Sequence, residues 1–207
     1  MEVASALALM ASAIFVAELT DKDALLLIAL ATRTKQSLVF AAGVTAFTIT
    51  TTIIVTIGQF LVSSFPVFWI KITGGVIMIG YGLWEFFKVS KKKQEKELAK
   101  DRNRLLAYSS RRNLLSAFAG MVSMLAILDL AGDATEILTI VFVARFGNAL
   151  LVFVGALTGL VAATAVETSI GNRLTKVLSL ARIRLLSLVV FLIVGSTLII
   201  TTTLLPV

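Results

Sequence analysis

Two groups of acidic residues interrupt otherwise apolar stretches of this 207-residue chain. The first is Glu18, Asp21 and Asp23, with Lys22 among them; the second is Asp129, Asp133 and Glu136. Each lies about midway along its apolar stretch. An ionised side chain at the centre of a bilayer costs at least ~2.5–3.5 kcal/mol on insertion scales, so such residues mark ion paths or binding sites by default. On a helix, Glu18 and Asp21 share a face, as do Asp129, Asp133 and Glu136, because residues three and four apart are neighbours. Two such faces in contact supply several carboxylate oxygens, the ligands preferred by hard divalent cations such as Ca²⁺ and Mn²⁺. Thr20, Thr48 and Thr135 are candidates to add hydroxyl oxygens or to mark local unwinding.

The composition narrows the chemistry. The chain has no cysteine and no histidine, which excludes disulfides, iron–sulfur clusters, Cys/His zinc sites and a histidine proton relay. Proton chemistry then falls to carboxylates or lysine, and desolvation is what brings a carboxyl group towards its protonated form. Lys22, four residues from Glu18, reads either as a structural countercharge or as a tethered cation that fills an empty site. One lysine cannot neutralise six acids. No nucleophile stands out, so an enzyme is not expected, and no cofactor is required beyond a bound cation.

These residues need a membrane to position them. The chain is 58% hydrophobic and only 15% charged, with mean hydropathy +0.98, whereas soluble domains carry about a quarter charged residues. Apolar stretches run over about 3–31, 38–62, 67–87, 114–144, 149–170 and 185–205. Each suffices for the roughly 20 residues of a span. The N-terminal stretch lacks a basic leader region and runs too long for a signal peptide, so it reads as a true span. Pro66 suits the start of the third helix.

The expectation is an all-α polytopic membrane protein with six transmembrane helices. Residues 1–87 form a first three-helix repeat, 88–112 a basic loop, and 113–207 a second three-helix repeat. Ten of the nineteen Lys/Arg residues lie in 88–112. Net charge is +7, but this concentration reads as a cytoplasmic loop under the positive-inside rule and not as a nucleic-acid surface; contact with anionic lipid is compatible with it. Arg33/Lys35 and Arg173/Lys176/Arg182/Arg184 fall on the same side if both termini lie outside. Glu85 reads as an interfacial ion-pair partner. Glu167, near the cytoplasmic end of the fifth span, reads either as a snorkelling residue that pairs with Arg173 or as an accessory ligand. The threonine-rich second span reads foremost as inter-helix hydrogen bonding.

The halves align when Asp21 is set on Asp133. In that register Leu26 falls on Leu138, Ile28 on Ile140, Arg33 on Arg145 and Gly43 on Gly155. Three spans per half invert the second copy relative to the first, a plan common among secondary transporters.

The segment Glu18-Leu19-Thr20-Asp21-Lys22 and the second copy Gly132-Asp133-Ala134-Thr135 resemble the repeated Glu-x-Gly-Asp-Lys/Arg-Thr/Ser pattern of the GDT-one family (uncharacterised protein family sixteen) of the LysE superfamily. The resemblance covers nearly the whole chain. It implies a Mn²⁺/Ca²⁺ transporter that exchanges the cation for protons. With it, the residues read as a midplane site with metal ligands at Glu18, Asp21, Asp129 and Asp133; Lys22, Asp23, Thr48, Thr135, Glu136 and Glu167 are accessory candidates from their own positions. Thr20 and Asp23 depart from the pattern. In the second copy the glutamate position is Leu130, with Asp129 one residue early, so a helix bulge or a separate role for Asp129 is open. The alternatives are a LysE-type exporter of an organic cation or amino acid, and a cation channel. Expected partners are the divalent cation, protons and the lipid bilayer, with no nucleic acid; a homodimer is compatible with the sequence. A prokaryotic chain of this type would sit in the plasma membrane.

Overall fold

A computed structural model describes residues 3–19, 22–87, 99–100, 102–104, 106–107, 113–130, 134–177 and 180–204. The side chains of residues 22–23, 85, 134, 170–177, 180–184 and 186–187 are outside that description. The described elements are all helices: α1 Val3–Leu19, α2 Lys22–Ala31, α3 Gln36–Ser64, α4 Val67–Phe87, α5 Leu114–Asp129, α6 Ala134–Phe146, α7 Ala149–Val177 and α8 Leu180–Leu204.

The first and fourth apolar stretches are each broken in two, and both breaks fall on the acidic groups. α1 gives way to α2 across residues 20–21, and α5 to α6 across 130–133. The segments Val3–Leu19 and Ala24–Ala31 meet at a bend of 69°. Three helices are long and apolar enough to cross a membrane alone, Gln36–Ser64, Val67–Trp84 and Ala149–Ser169. The bent pair makes a fourth if counted as one span, and Leu114–Asp129 and Leu188–Leu204 are shorter apolar helices.

Local signals explain the ends. Asn113 caps α5 by accepting from the Leu115 N–H at 3.1 Å, and Asn148 accepts from the Leu151 N–H at 3.0 Å at the start of α7. Such caps satisfy N–H groups that the first helical turn leaves without carbonyls. Gly147, at φ 63°, closes α6 in the left-handed conformation that glycine adopts without strain. The threonines of α3 do not bridge helices as expected. Thr45, Thr48, Thr50, Thr52 and Thr56 each donate to a carbonyl of their own preceding turn, the nearest acceptor in an apolar setting.

Each broken pair packs on the second long helix of the other half: α1 and α2 on α7, α5 and α6 on α3; α3 packs on α7 and α4 on α8. Glycines set the close approaches. A Cβ on Gly159 would lie 2.6 Å from the Ala11 carbonyl oxygen and 3.0 Å from the Phe15 nitrogen. One on Gly75 would lie 2.9 Å from the Gly195 carbonyl oxygen. Small residues at such seams let helix backbones meet where the surroundings offer no hydrophobic drive. Outside, large apolar side chains such as Phe60, Trp69, Phe87, Leu115 and Leu150 are exposed, more than a water-facing surface carries in contiguous patches.

The α1–α7 seam gives a direct test. Gly159→Ala forces backbone apart and is expected to cost about 1–3 kcal/mol, read as a lower melting midpoint of the detergent-solubilised protein. Gly80→Ala, where nothing lies within 4 Å of the added carbon, should leave the midpoint unchanged or raise it.

Candidate functional site

The two half-helices that precede the breaks are copies of one another. The buried positions of α1 include Ala6, Met10, Ile14 and Glu18; those of α5 are Ala117, Met121, Leu125 and Asp129. The four pairs hold one common register, and in type they read Ala/Ala, Met/Met, Ile/Leu and Glu/Asp. Beyond the break the register is longer by a single position, as between Asp21 and Asp133. The second copy therefore carries one extra residue, and it falls in the break, which holds residues 20–21 in one copy and 130–133 in the other. An insertion between two helices leaves each of them intact, whereas one inside a continuous helix would rotate everything after it by about 100°. This corrects the reading of Asp129 as out of register: Glu18 and Asp129 hold equivalent places, and no bulge within α5 is needed.

Position sets the electrostatics. Glu18 is the penultimate residue of α1 and Asp129 the last of α5, and both are buried, at 0% and 3% exposure. The last turn of a helix leaves carbonyls without intrahelical partners and carries the negative end of the helix dipole. A carboxylate is unfavourable there and a cation favourable. Broken helices of transporters use such C-terminal ends to coordinate cations.

At the second break a small cavity is lined by Asp129, Thr135, Glu136, Thr139, Thr50, Thr51, Ile54 and Leu160. Its volume is about 10 Å³, room on the order of one water-sized particle. Glu136 lies in the first turn of α6, where the helix dipole favours a negative charge. The Thr139 hydroxyl donates to the Thr135 carbonyl at 2.7 Å, and the Thr50 hydroxyl to the carbonyls of Ala46 and Phe47 at 3.2 Å. With each proton committed to the helix, these oxygens offer only lone pairs to anything else. The lining is thus a set of oxygen acceptors that suits a hard cation or a proton carried on a carboxyl group.

Of the residues singled out in the sequence, Asp129, Thr135 and Glu136 come together in this cavity. Glu18 is buried at the other break. Asp21, Asp133 and Thr20 lie outside the described residues, as do the side chains of Lys22 and Asp23. Among the described residues no three His, Cys, Asp or Glu side chains group closely enough to hold a metal.

Thr48 is not in the lining; it is half-buried on another face of α3. Thr50 and Thr51 take that place. The signal for them was the phase of α3, whose buried positions Phe47, Thr50, Thr51, Ile54 and Gly58 recur at helical spacing. Glu167 is 1% exposed, which rules out a snorkelling side chain: its neighbours on the buried face, Ala163, Thr164 and Thr168, are equally enclosed.

Comparison with known families bears on both halves. Residues 6–93 and again 117–204 match the family model described as divalent cation/proton antiporter GDT1. The two matched segments begin at Ala6 and Ala117, the first of the pairs that align α1 with α5. No curated protein and no solved structure matches the chain significantly. The double match spans most of the sequence, and an integral membrane protein built on broken helices with buried acids is what such transport needs; the chain belongs to the GDT1 family of divalent cation/proton antiporters.

Proposed function

We propose that the protein moves Mn²⁺ and/or Ca²⁺ across the membrane in exchange for protons, through carboxylates at the two helix breaks. The observation that carries this reading is the repeated placement of an acid, Glu18 and Asp129, on the buried C-terminal turn of a half-helix. Asp21 and Asp133, the family-pattern aspartates, complete the ligand set in this reading. Asp23, Glu136 and Thr135 flank it. Six spans arranged as a 3+3 inverted repeat, with both termini outside and residues 88–112 cytoplasmic, bring the breaks near the midplane. The swapped packing of α1 on α7 and α5 on α3 supports that symmetry.

The mechanism follows from desolvation. A carboxylate held away from water favours either a proton or a cation over a bare charge. The empty site takes up protons, and an arriving cation displaces them. Lys22 acts as a tethered countercharge while the site is empty. Alternating exposure of the site to the two sides then couples opposite fluxes. The polar side chains of the lining carry oxygen and no nitrogen or sulfur, which favours a hard cation, and the small cavity at Asp129 supports an inorganic ion over an organic cation or amino acid.

Asp21→Asn or Asp133→Asn is expected to abolish Mn²⁺ and Ca²⁺ uptake into proteoliposomes driven by a proton gradient; full transport by either variant would sink the assignment. Thr139→Val keeps the shape of the side chain and removes the cavity oxygen. It should cut uptake by about tenfold, the scale of one lost hydrogen bond to a charged group, while Thr48→Val should leave uptake near the wild-type rate.

A further inference from the structure

The symmetry of the repeat fails at two acids, and the two failures answer one another. In the register that sets Asp21 on Asp133, Glu136 in the second half corresponds to Ala24 in the first. Glu167 in the second half corresponds to Val55. Both counterparts are apolar and buried, Ala24 at 2% and Val55 at 6% exposure. The break in the second half thus has Glu136 beside Asp129, whereas the break in the first half has only alanine at the matching place.

Glu167 lies where it can make up that difference. The glycines of α7 fix its register on α1. A Cβ on Gly155 would meet Met10 at 2.9 Å, and one on Gly159 would meet Ile14 at 3.0 Å. From the first pair to the second both helices advance by one turn in the same direction. They therefore run parallel and in step, and the next turn sets Ala163 against Glu18. Both of these are 0% exposed. Glu167 is one turn further, level with the break that follows α1. Thr164, on the same face, packs on Gly43 of α3, where a Cβ would lie 3.0 Å from its Cγ2 and 3.4 Å from Leu27 of α2.

The chemistry there repeats that of the Asp129 cavity. The Thr164 hydroxyl donates to the Leu160 carbonyl at 2.8 Å and the Thr168 hydroxyl to the Thr164 carbonyl at 2.7 Å. Both oxygens are therefore left as acceptors, three residues before and one residue after Glu167 on α7. Glu18, Glu167 and the two threonines are all buried, and the register of α1 on α7 sets the two acids one helical turn apart along the seam.

We propose that Glu167 binds the transported cation together with Glu18 across the α1–α7 seam, as Glu136 would with Asp129, so that each helix break carries a two-acid half-site, the one after α1 drawing its second acid from the opposite repeat. The inference rests on the cation-exchange reading above and adds a ligand that the family pattern does not contain.

Titration calorimetry of the purified full-length chain with Mn²⁺ and with Ca²⁺ tests it. Glu167→Gln should weaken binding by about 10- to 100-fold, at least the loss seen for groups that support a metal site, and Glu167→Asp should recover part of it. Unchanged affinity in Glu167→Gln, with Glu18→Gln and Asp129→Asn impaired, overturns this inference alone. Unchanged affinity in all three overturns the cation-exchange reading as well. A measurement on the wild type covers the case of a variant that does not fold. A hydrophobic carbodiimide, which couples to buried protonated carboxyl groups, should modify Glu167 without cation and fail to do so with Ca²⁺ present, as read by peptide mass spectrometry. Equal modification with and without Ca²⁺, including none in either, counts against the proposal.

Discussion

A carboxylate cannot stay charged and alone in an interior made of helices and lipid, and the rest of this structure is arranged around that constraint. Water is the usual solvent for such a group, and helix packing removes it. The remaining solutions are a proton, a cation, or protein groups that stand in for water. Glu18 and Asp129 are placed where their own backbone helps least, on helix C-terminal turns with the dipole against them. The nearby hydroxyls have committed their protons to their own helices. On the proposed reading, such surroundings favour a cation.

The breaks in α1–α2 and α5–α6 follow from the same demand. Irregular backbone at membrane depth is tolerated only where it is enclosed by protein or lines a cavity. Here the enclosing elements are the long unbroken helices α3 and α7, each packed on the broken pair of the opposite half. Glycines bring α7 close to α1, and Glu18 and Ala163 are both fully buried. The α4–α8 contact, with Gly75 against Gly195, ties the two halves together away from the acids.

Much of this was legible in the sequence. Composition pointed to the helical membrane class, since 15% charged residues is far below the usual share in a soluble chain. The acidic interruptions marked where the helices end, since α1 and α5 both stop at them. What the sequence did not yield was register across the break. A single fixed register paired Asp21 with Asp133 and left Asp129 stranded, because one inserted residue in irregular backbone shifts the comparison without disturbing either helix. The cavity threonines were misjudged for a related reason. Thr48 and Thr50 are equally polar, and only the helical phase of Phe47, Thr51 and Ile54 tells which faces inward. Glu167 near the end of its apolar stretch could be read as interfacial by position along the chain, whereas it is buried on a helix that packs on α1, α2 and α3, all distant in sequence.

The central claim is that cation and protons compete for the same carboxyl groups. The most direct measurement is the number of protons released when the wild-type protein binds Mn²⁺ or Ca²⁺, obtained by calorimetry in buffers of different ionisation enthalpy across a range of pH. The account predicts proton release on binding, with affinity rising and release falling as pH increases. Binding with no proton release and no dependence on pH would contradict it.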